Sequence, residues 1–205
     1  MKECNNAWLP DDESDAAMVH GGAQYQSAKL RAAMAWTTSR RVAVDVGAHC
    51  GLWAMQMMKL FERVVAFEPL QRHIECFRQN AEGCELYEAA VGEKSGVCGI
   101  KTVDGLSGRS YIDGTGDIPM IRLDDCGLSR VDLLKVDAEG YELFILKGGE
   151  ELLKQWQPTV IVEQKRGHAE KYGLRDGEAV EYLVSLGAKQ REHIAGDFVL
   201  SWDKR

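Results

Sequence analysis

No Cys-x-x-Cys pair occurs among the six cysteines, Cys4, Cys50, Cys76, Cys84, Cys98 and Cys126. A structural zinc site therefore has no ligand pairs to start from. His73 and Cys76 lie three apart, but on a predicted helix and with no second pair to match them. Thiols spread in this way read as reduced, which points to a cytoplasmic protein. No apolar run approaches the roughly 20 residues that span a bilayer, and Met1–Trp8 lacks the apolar core of a secretory leader. A membrane partner is not expected. Basic charge is also short, with 25 Lys and Arg against 32 Asp and Glu and a formal net charge of -7. Tight non-specific binding to nucleic acid needs a basic surface, so that partner is disfavoured. Basic residues cluster only in pairs such as Arg40-Arg41 and Lys165-Arg166. Repeats, low-complexity tracts and linkers are missing too, so the 205 residues read as one domain. Within it, residues 1–40 form an N-terminal extension and 93–130 a glycine-rich excursion. Nothing in the sequence sets the oligomeric state.

One further absence is the most informative. A dinucleotide site uses G-x-G-x-x-G, so that backbone N–H groups approach a pyrophosphate at a helix N-terminus. The matching place here reads Asp45-Val-Gly47-Ala-His-Cys-Gly51, after the apolar run Val42–Val46. A carboxylate at that strand end repels a diphosphate. It suits a ligand with a cationic end and no phosphate, such as S-adenosylmethionine (SAM). Gly47 and Gly51 let the backbone turn tightly and approach a ligand. Glu68 closes the next apolar run, Arg63–Phe67, where an acid can accept both ribose hydroxyls.

Alternation of strands and helices organises the rest. Gln24–Ala35 has helical spacing of Tyr25, Ala28, Ala32 and Ala35. This extension either packs on the sheet or covers the ligand as a lid, with Trp8, His20 or Tyr25 as contacts; packing carries more weight. Asp11–Asp15 reads as solvated loop. A helix is expected from about Leu52 to Leu60, with Trp53, Met55, Met57 and Met58 in the core. From Leu70 the apolar face Leu70, Ile74, Phe77, Ala81 predicts a helix that Gly83 ends. Leu86–Val91 is the third predicted strand. Asp104-Gly105 and Asp113-Gly114 mark hairpin turns in the excursion. Val131–Asp137, ending in its acid, and Thr159–Glu163 are predicted strands, with a helix between them interrupted near Gly148-Gly149. Val180, Leu183, Val184 and Leu186 mark a helix with Asp176 as candidate cap and Gly187 as stop. Lys189–Ile194 and Asp197–Trp202 close the chain as a hairpin turning at Gly196-Asp197. The expected fold is α/β: a Rossmann-like, mostly parallel seven-stranded sheet with helices on both faces and a C-terminal antiparallel hairpin.

Ligands of such sheets lie beyond the carboxyl ends of the strands. Those ends supply Asp45, Gly47, Ala48, His49 and Gly51, then Glu68, Pro69 and Leu70, then the small Ala89, Ala90 and Val91 for an adenine ring. The fourth end supplies Asp137, Ala138, Glu139 and Gly140, the fifth Glu163, Gln164 and Lys165. Asp45-Val-Gly-Ala with Gly51, Ala66-Phe-Glu-Pro69, Asn80, Ala89-Ala-Val-Gly92, Leu123-Asp-Asp125, Leu134-Lys-Val-Asp-Ala-Glu-Gly140 and Leu146-Lys-Gly148 follow in this order. With these motifs the chain resembles the FkbM-type methyltransferases from about Val42 to Glu163. The resemblance implies a SAM-dependent methyltransferase fold and activity, most often O-methylation of a hydroxyl on a sugar, glycan or other small metabolite. His49-Cys50 departs from the asparagine and aliphatic residue more usual in that family.

Methyl transfer from a sulfonium is an in-line displacement, so the enzyme mainly aligns the acceptor and excludes water. A hydroxyl must also lose its proton. Asp137, Glu139 and Glu163 are the candidate bases; Asp137 equally suits contact with the methionine portion of the cofactor, and Glu139 capping of the next helix. No metal site is favoured, although Asp137 with Glu163 would be the pair to hold a divalent ion that acidifies the hydroxyl. Arg109, Ser110 and Tyr111 in the excursion are candidates to touch an acceptor. Lys165, Arg166 and His168 follow the fifth strand and rim the cleft, and His168 is set aside as a lone histidine. Alternatives of other kinds are a nucleic-acid methyltransferase and a non-catalytic SAM- or nucleotide-binding module.

Overall fold

The computed structural model describes residues 1–203. Seven strands form the central sheet: β1 Val42–Val46, β2 Arg63–Phe67, β3 Glu85–Tyr87, β4 Val131–Val136, β5 Thr159–Glu163, β6 Lys189–Ile194 and β7 Asp197–Ser201. Their order across the sheet is β3-β2-β1-β4-β5-β7-β6. The strands from β3 to β5 pair parallel, and β7 runs antiparallel to both β5 and β6. The expected α/β architecture and its closing hairpin are therefore present. The hairpin turns one residue earlier than the expected Gly196-Asp197, on Ala195-Gly196, both at positive φ (49° and 89°), with Asp197 already in the strand; this matches the twist of a two-residue turn.

The helices are α1 Ala16–Gly21, α2 Ser27–Met34, α3 Ala54–Met57, α4 Gln71–Asn80, α5 Glu142–Gly148, α6 Glu150–Trp156 and α7 Glu178–Ser185. Side chains alternate between the two faces of the sheet. Val44, Val46, Val65, Phe67, Leu134 and Val162 pack with Leu143, Leu146, Leu153 and Leu183 of α5, α6 and α7. Ala43, Val64, Ala66, Leu133 and Ile161 pack on the other face with Leu30, Ala33, Met57 and Phe77 of α2, α3 and α4. Both faces are covered, which is why these strands read as unbroken apolar runs. Among the described residues no helix is long and apolar enough to cross a membrane.

Four further expectations change. The run Leu86–Val91 is two strands, because Ala90–Val91 leaves the central sheet and pairs with Ile118–Ile121. The helix expected over Leu52–Leu60 is regular only at Ala54–Met57, and Met58 is exposed. Asp176 does not cap α7; its carboxylate accepts from the Gly167 N–H. Within Asp11–Asp15, Glu13 is buried, and Asp15 caps α1 by accepting from the N–H groups of Ala17 and Met18.

Candidate active site

A cavity of about 620 Å3 opens beyond the carboxyl ends of β1, β2 and β4, within the roughly 300–1,000 Å3 typical of small-molecule sites. Its first wall is Gly47–His49, Glu68–Leu70 and Ala89–Val91. Gly47 sits at φ +73°, and a Cβ there would stand 1.8 Å from the Asp137 carbonyl oxygen. Only glycine allows the β1 and β4 ends to approach this closely. Four N–H groups of the turn are committed: those of Gly47 and Ala48 donate to the Phe67 carbonyl (3.1 and 3.0 Å), that of Gly51 to the Ala48 carbonyl, and that of His49 to Glu68 Oε2 (2.9 Å). These four are not free to face a pyrophosphate.

Glu68 also accepts from the Leu70 N–H (3.0 Å), and its Oε1 lies 3.0 Å from His73 Nδ1. Each carboxylate oxygen has two acceptor sites, so a fixed and nearly buried Glu68 still has capacity toward a ribose. The lining fits SAM: a carboxylate, small apolar residues and, at Gly47–His49, N–H groups already engaged within the chain. His49 has φ +51°, a left-handed conformation in which Asn, Asp and His are enriched. The His49 substitution for asparagine is thus conformationally conservative. Its Nε2 lies 2.7 Å from Ser107 Oγ, and burial followed by the neighbouring His73 pushes its pKa well down. Asn80 is structural: it accepts from the Trp8 N–H and donates to the carbonyls of Trp8 and Cys50.

Asp45 and Gly51 do not line the cavity. Asp45 is fully buried, with Oδ1 3.0 Å from the Lys135 ammonium. Burial raises its pKa and Lys135 only partly offsets this. The positive charge facing Asp45 is therefore an internal lysine. A Cβ on Gly51 would meet the Phe77 ring at 2.8 Å, so that glycine serves packing against α4. Lys135 also donates to the Gly47 carbonyl (3.1 Å) and lies 3.9 Å from Asp137 Oδ2.

The second wall carries Asp137, Glu139, Lys165 and His168. Burial pushes the Asp137 carboxyl up, but the ammonium groups of Lys135 and Lys165 outweigh it and hold the pKa low. Burial and then the Asp137 charge raise Glu139. Glu163 stands behind this wall, 2% exposed, and burial with the Asp137 charge pushes it up to about 10. Lys165 Nζ lies 2.5 Å from Glu163 Oε1 and 3.5 Å from Glu139 Oε1. Glu139, Glu163 and His168 place ligand-type atoms within 4.8 Å of one another, yet the Lys165 ammonium already supplies the cation between the two carboxylates. Glu139 does not cap α5, whose N-terminus has no side-chain cap. Glu142, the first residue of that helix, instead fixes the preceding turn, its Oε1 accepting from the N–H groups of Ala138 and Gly140 at 2.9 Å each.

The extension and the excursion close the cavity. Tyr25 lines it, whereas Trp8 and His20 do not. Glu13 accepts from the backbone N–H and the hydroxyl of Ser107, and Ser14 Oγ donates to the Gly105 carbonyl. Arg109, Ser110 and Tyr111 all line the cavity. Sequence reasoning missed Glu13 and Ser107, whose pairing spans 94 residues, and Lys135, which stands in the Leu134–Gly140 motif but whose partner Asp45 lies on another strand.

The sheet order and the antiparallel β7 are those of a Rossmann-like class I methyltransferase. The chain belongs to the methyltransferase FkbM domain family, whose model matches residues 45–190. It is 25% identical over 190 residues to methyltransferase sdnD of Sordaria araneosa, covering 64% of this chain and 72% of that protein. A crystal structure of a methyltransferase FkbM from Methylobacillus flagellatus KT superposes with a TM-score of 0.52 at 19% identity, over 78% of this chain. The present chain spans only 43% of that one. The N-methyltransferase NodS from Bradyrhizobium japonicum WM9, solved with S-adenosyl-L-homocysteine (SAH), gives a TM-score of 0.54 at 11% identity, covering 93% of this chain and 90% of that one. The protein is accordingly a SAM-dependent methyltransferase.

Proposed function

We propose that the protein transfers the methyl group to a hydroxyl on a sugar, glycan or other small metabolite. The supporting observation is one continuous cavity that joins the cofactor wall to the acid–base wall of Asp137, Glu139, Lys165 and His168. When bound, SAM supplies an electrophilic methyl group. Gly47–His49, Glu68–Leu70 and Ala90–Val91 would hold its nucleoside, and Asp137, kept ionised, would face its cationic methionine end. The acceptor lies between that wall and Arg109, Ser110 and Tyr111, under the cover of residues 13–26. Enclosure there excludes water and aligns the two reactants, which is most of what the displacement requires. An acid–base wall is what a hydroxyl acceptor adds, since it is a poor nucleophile until its proton leaves. The six free cysteines fit a reducing compartment, and we read the enzyme as cytoplasmic. Incubation with methyl-labelled SAM and glycan, lipid, nucleic-acid and small-molecule fractions of a source-cell lysate tests this. O-linked label in a glycan or small-molecule product is expected. Label confined to nitrogen, or to nucleic acid, would refute it.

A further inference from the structure

The Asp137–Gly140 turn has two backbone features that lining the cavity does not by itself require. Glu139 adopts φ +53° and Gly140 φ +105°. A non-glycine residue in the left-handed region is held there against its preference. A Cβ on Gly140 would stand 2.2 Å from the His168 carbonyl oxygen. Glycine therefore lets the β4 turn lie directly against the loop that follows β5. Lys171 reinforces the pose by donating to the Glu139 carbonyl at 2.9 Å.

The facing loop is equally fixed. The His168 N–H donates to the Lys165 carbonyl (3.2 Å), Gly167 sits at φ +79°, and its N–H donates to Asp176 (2.9 Å). A glycine with positive φ at this point is what a tight turn of this kind demands. The two turns bring His168 Nδ1 to 2.8 Å from Glu139 Oε2. The angle at this contact is not yet that of a formed hydrogen bond, a common state of catalytic pairs before substrate tightens them. His168 lines the cavity and is about one-third exposed, while Glu139 is nearly buried.

We propose that His168 Nε2 takes the proton of the acceptor hydroxyl, and that Glu139 is the positioning residue that orients the ring through Nδ1. The proposal rests on the O-methyltransferase reading above and names its base. The O–H bond breaks, an N–H bond forms at Nε2, and the electron pair stays on the acceptor oxygen. The imidazolium is stabilised by Glu139 and later releases its proton to water. The other two acids serve less well. Glu163 is off the cavity wall and tied to Lys165, and Asp137, with its lowered pKa, is a weak base. The charged groups facing His168 are Glu139 and Asp137 from the β4 turn, Lys165 from its own loop, Lys171 from the following 3-10 turn and Arg109 from the excursion. Burial, then Lys165, Lys171 and Arg109, lower the His168 pKa, so the ring is neutral and able to accept at pH 7 and above.

The test uses the full chain and the lysate fraction that accepts O-linked label. Initial rates are measured from pH 6 to 9 for the wild type, His168→Asn and Glu139→Gln, alongside SAH titrations and imidazole NMR of His168. The wild-type rate should fall toward acid pH with the midpoint of the His168 titration. His168→Asn should lose at least about 100-fold in rate, the low end for a general base, and lose the acid limb, with SAH affinity within about twofold of wild type. Glu139→Gln removes the negative partner, so both the NMR midpoint and the rate limb should move to lower pH. If His168→Asn keeps the limb and a rate within about threefold, the proposal is overturned. If His168→Asn loses SAH binding, Glu139→Gln decides, and a limb that stays in place overturns the proposal. Failure of the O-methyl reading is distinguishable, because the wild type would then carry label to an atom other than oxygen.

Discussion

Replacing Lys135 with Met should destabilise the protein by about 3–5 kcal/mol, the usual cost of leaving one member of a buried ion pair alone. The structure places Lys135 at 3% exposure with its ammonium 3.0 Å from the fully buried Asp45, 3.1 Å from the Gly47 carbonyl and 3.9 Å from Asp137. For a chain of this size each 1 kcal/mol corresponds to about 2–4 °C, so the melting temperature should fall by roughly 6–20 °C. The pH dependence separates this cause from simple loss of packing. Asp45 already has a raised pKa because burial outweighs Lys135, and without the lysine it rises further. A raised carboxyl costs stability as pH climbs above its unfolded value of about 3.9. The penalty should therefore be larger at pH 8 than at pH 5. Burial alone would lower Lys135, but Asp45 and Asp137 hold it above its ordinary value. Its own contribution is then complete below about pH 10.4 and is lost only above that, outside the assay window. The double variant Lys135→Met/Asp45→Val should regain most of the loss, since an apolar pair of similar volume often replaces a buried ion pair without cost. Thermal unfolding by circular dichroism at the two pH values reads all of this. A Lys135→Met variant as stable as the wild type, or equally destabilised at both pH values, would refute the reasoning.

Glu68→Gln keeps the shape of the cofactor wall but removes the charge from its acceptors, so SAH affinity should drop about 10–100-fold, the equivalent of one charge-assisted hydrogen bond at roughly 1.5–3 kcal/mol; unchanged affinity by calorimetry would remove Glu68 from the ribose site. Glu142 is pushed up to about 7 by burial, against backbone N–H donors that lower it. Its raised pKa makes wild-type stability decline as pH rises from about 4.5 to 7, by at most about 3 kcal/mol at 1.36 kcal/mol per unit. Glu142→Gln should flatten that slope between pH 5 and 8, because the amide can still accept from Ala138 and Gly140 and can turn its N–H toward the unpartnered Gln164 Oε1. An unchanged slope would assign the dependence to another group.

The sheet was legible because its strands are apolar on both faces and its turns are marked by acids and glycines. Val42–Val46, with Asp45 near its end and Gly47 after it, and the run from Val131 to Asp137 announce both the strands and the cavity end of the sheet. Local signals failed where a residue's partner is remote. Asp45 reads as a ligand-facing acid, yet Lys135, 90 positions further along the chain, pairs with it inside the sheet. Glu139 reads as a helix cap, but the positive φ that turns it toward His168 depends on a contact with the β5 loop. Asp176 reads as a cap for the same reason and instead pins that loop. Glu13, in a run of acids, reads as solvated until Ser107 is seen to bury it. Pairings across 9 to 94 residues are set by packing, and no spacing rule for helices or strands reports them.

The central claim is that the cavity beyond β1, β2 and β4 is a SAM site and not a dinucleotide site. Isothermal titration of the purified protein with SAM, SAH and NAD tests it most directly. SAM and SAH should each bind at one site, and NAD should give no heat beyond dilution. Binding of NAD without binding of SAM or SAH would contradict the account.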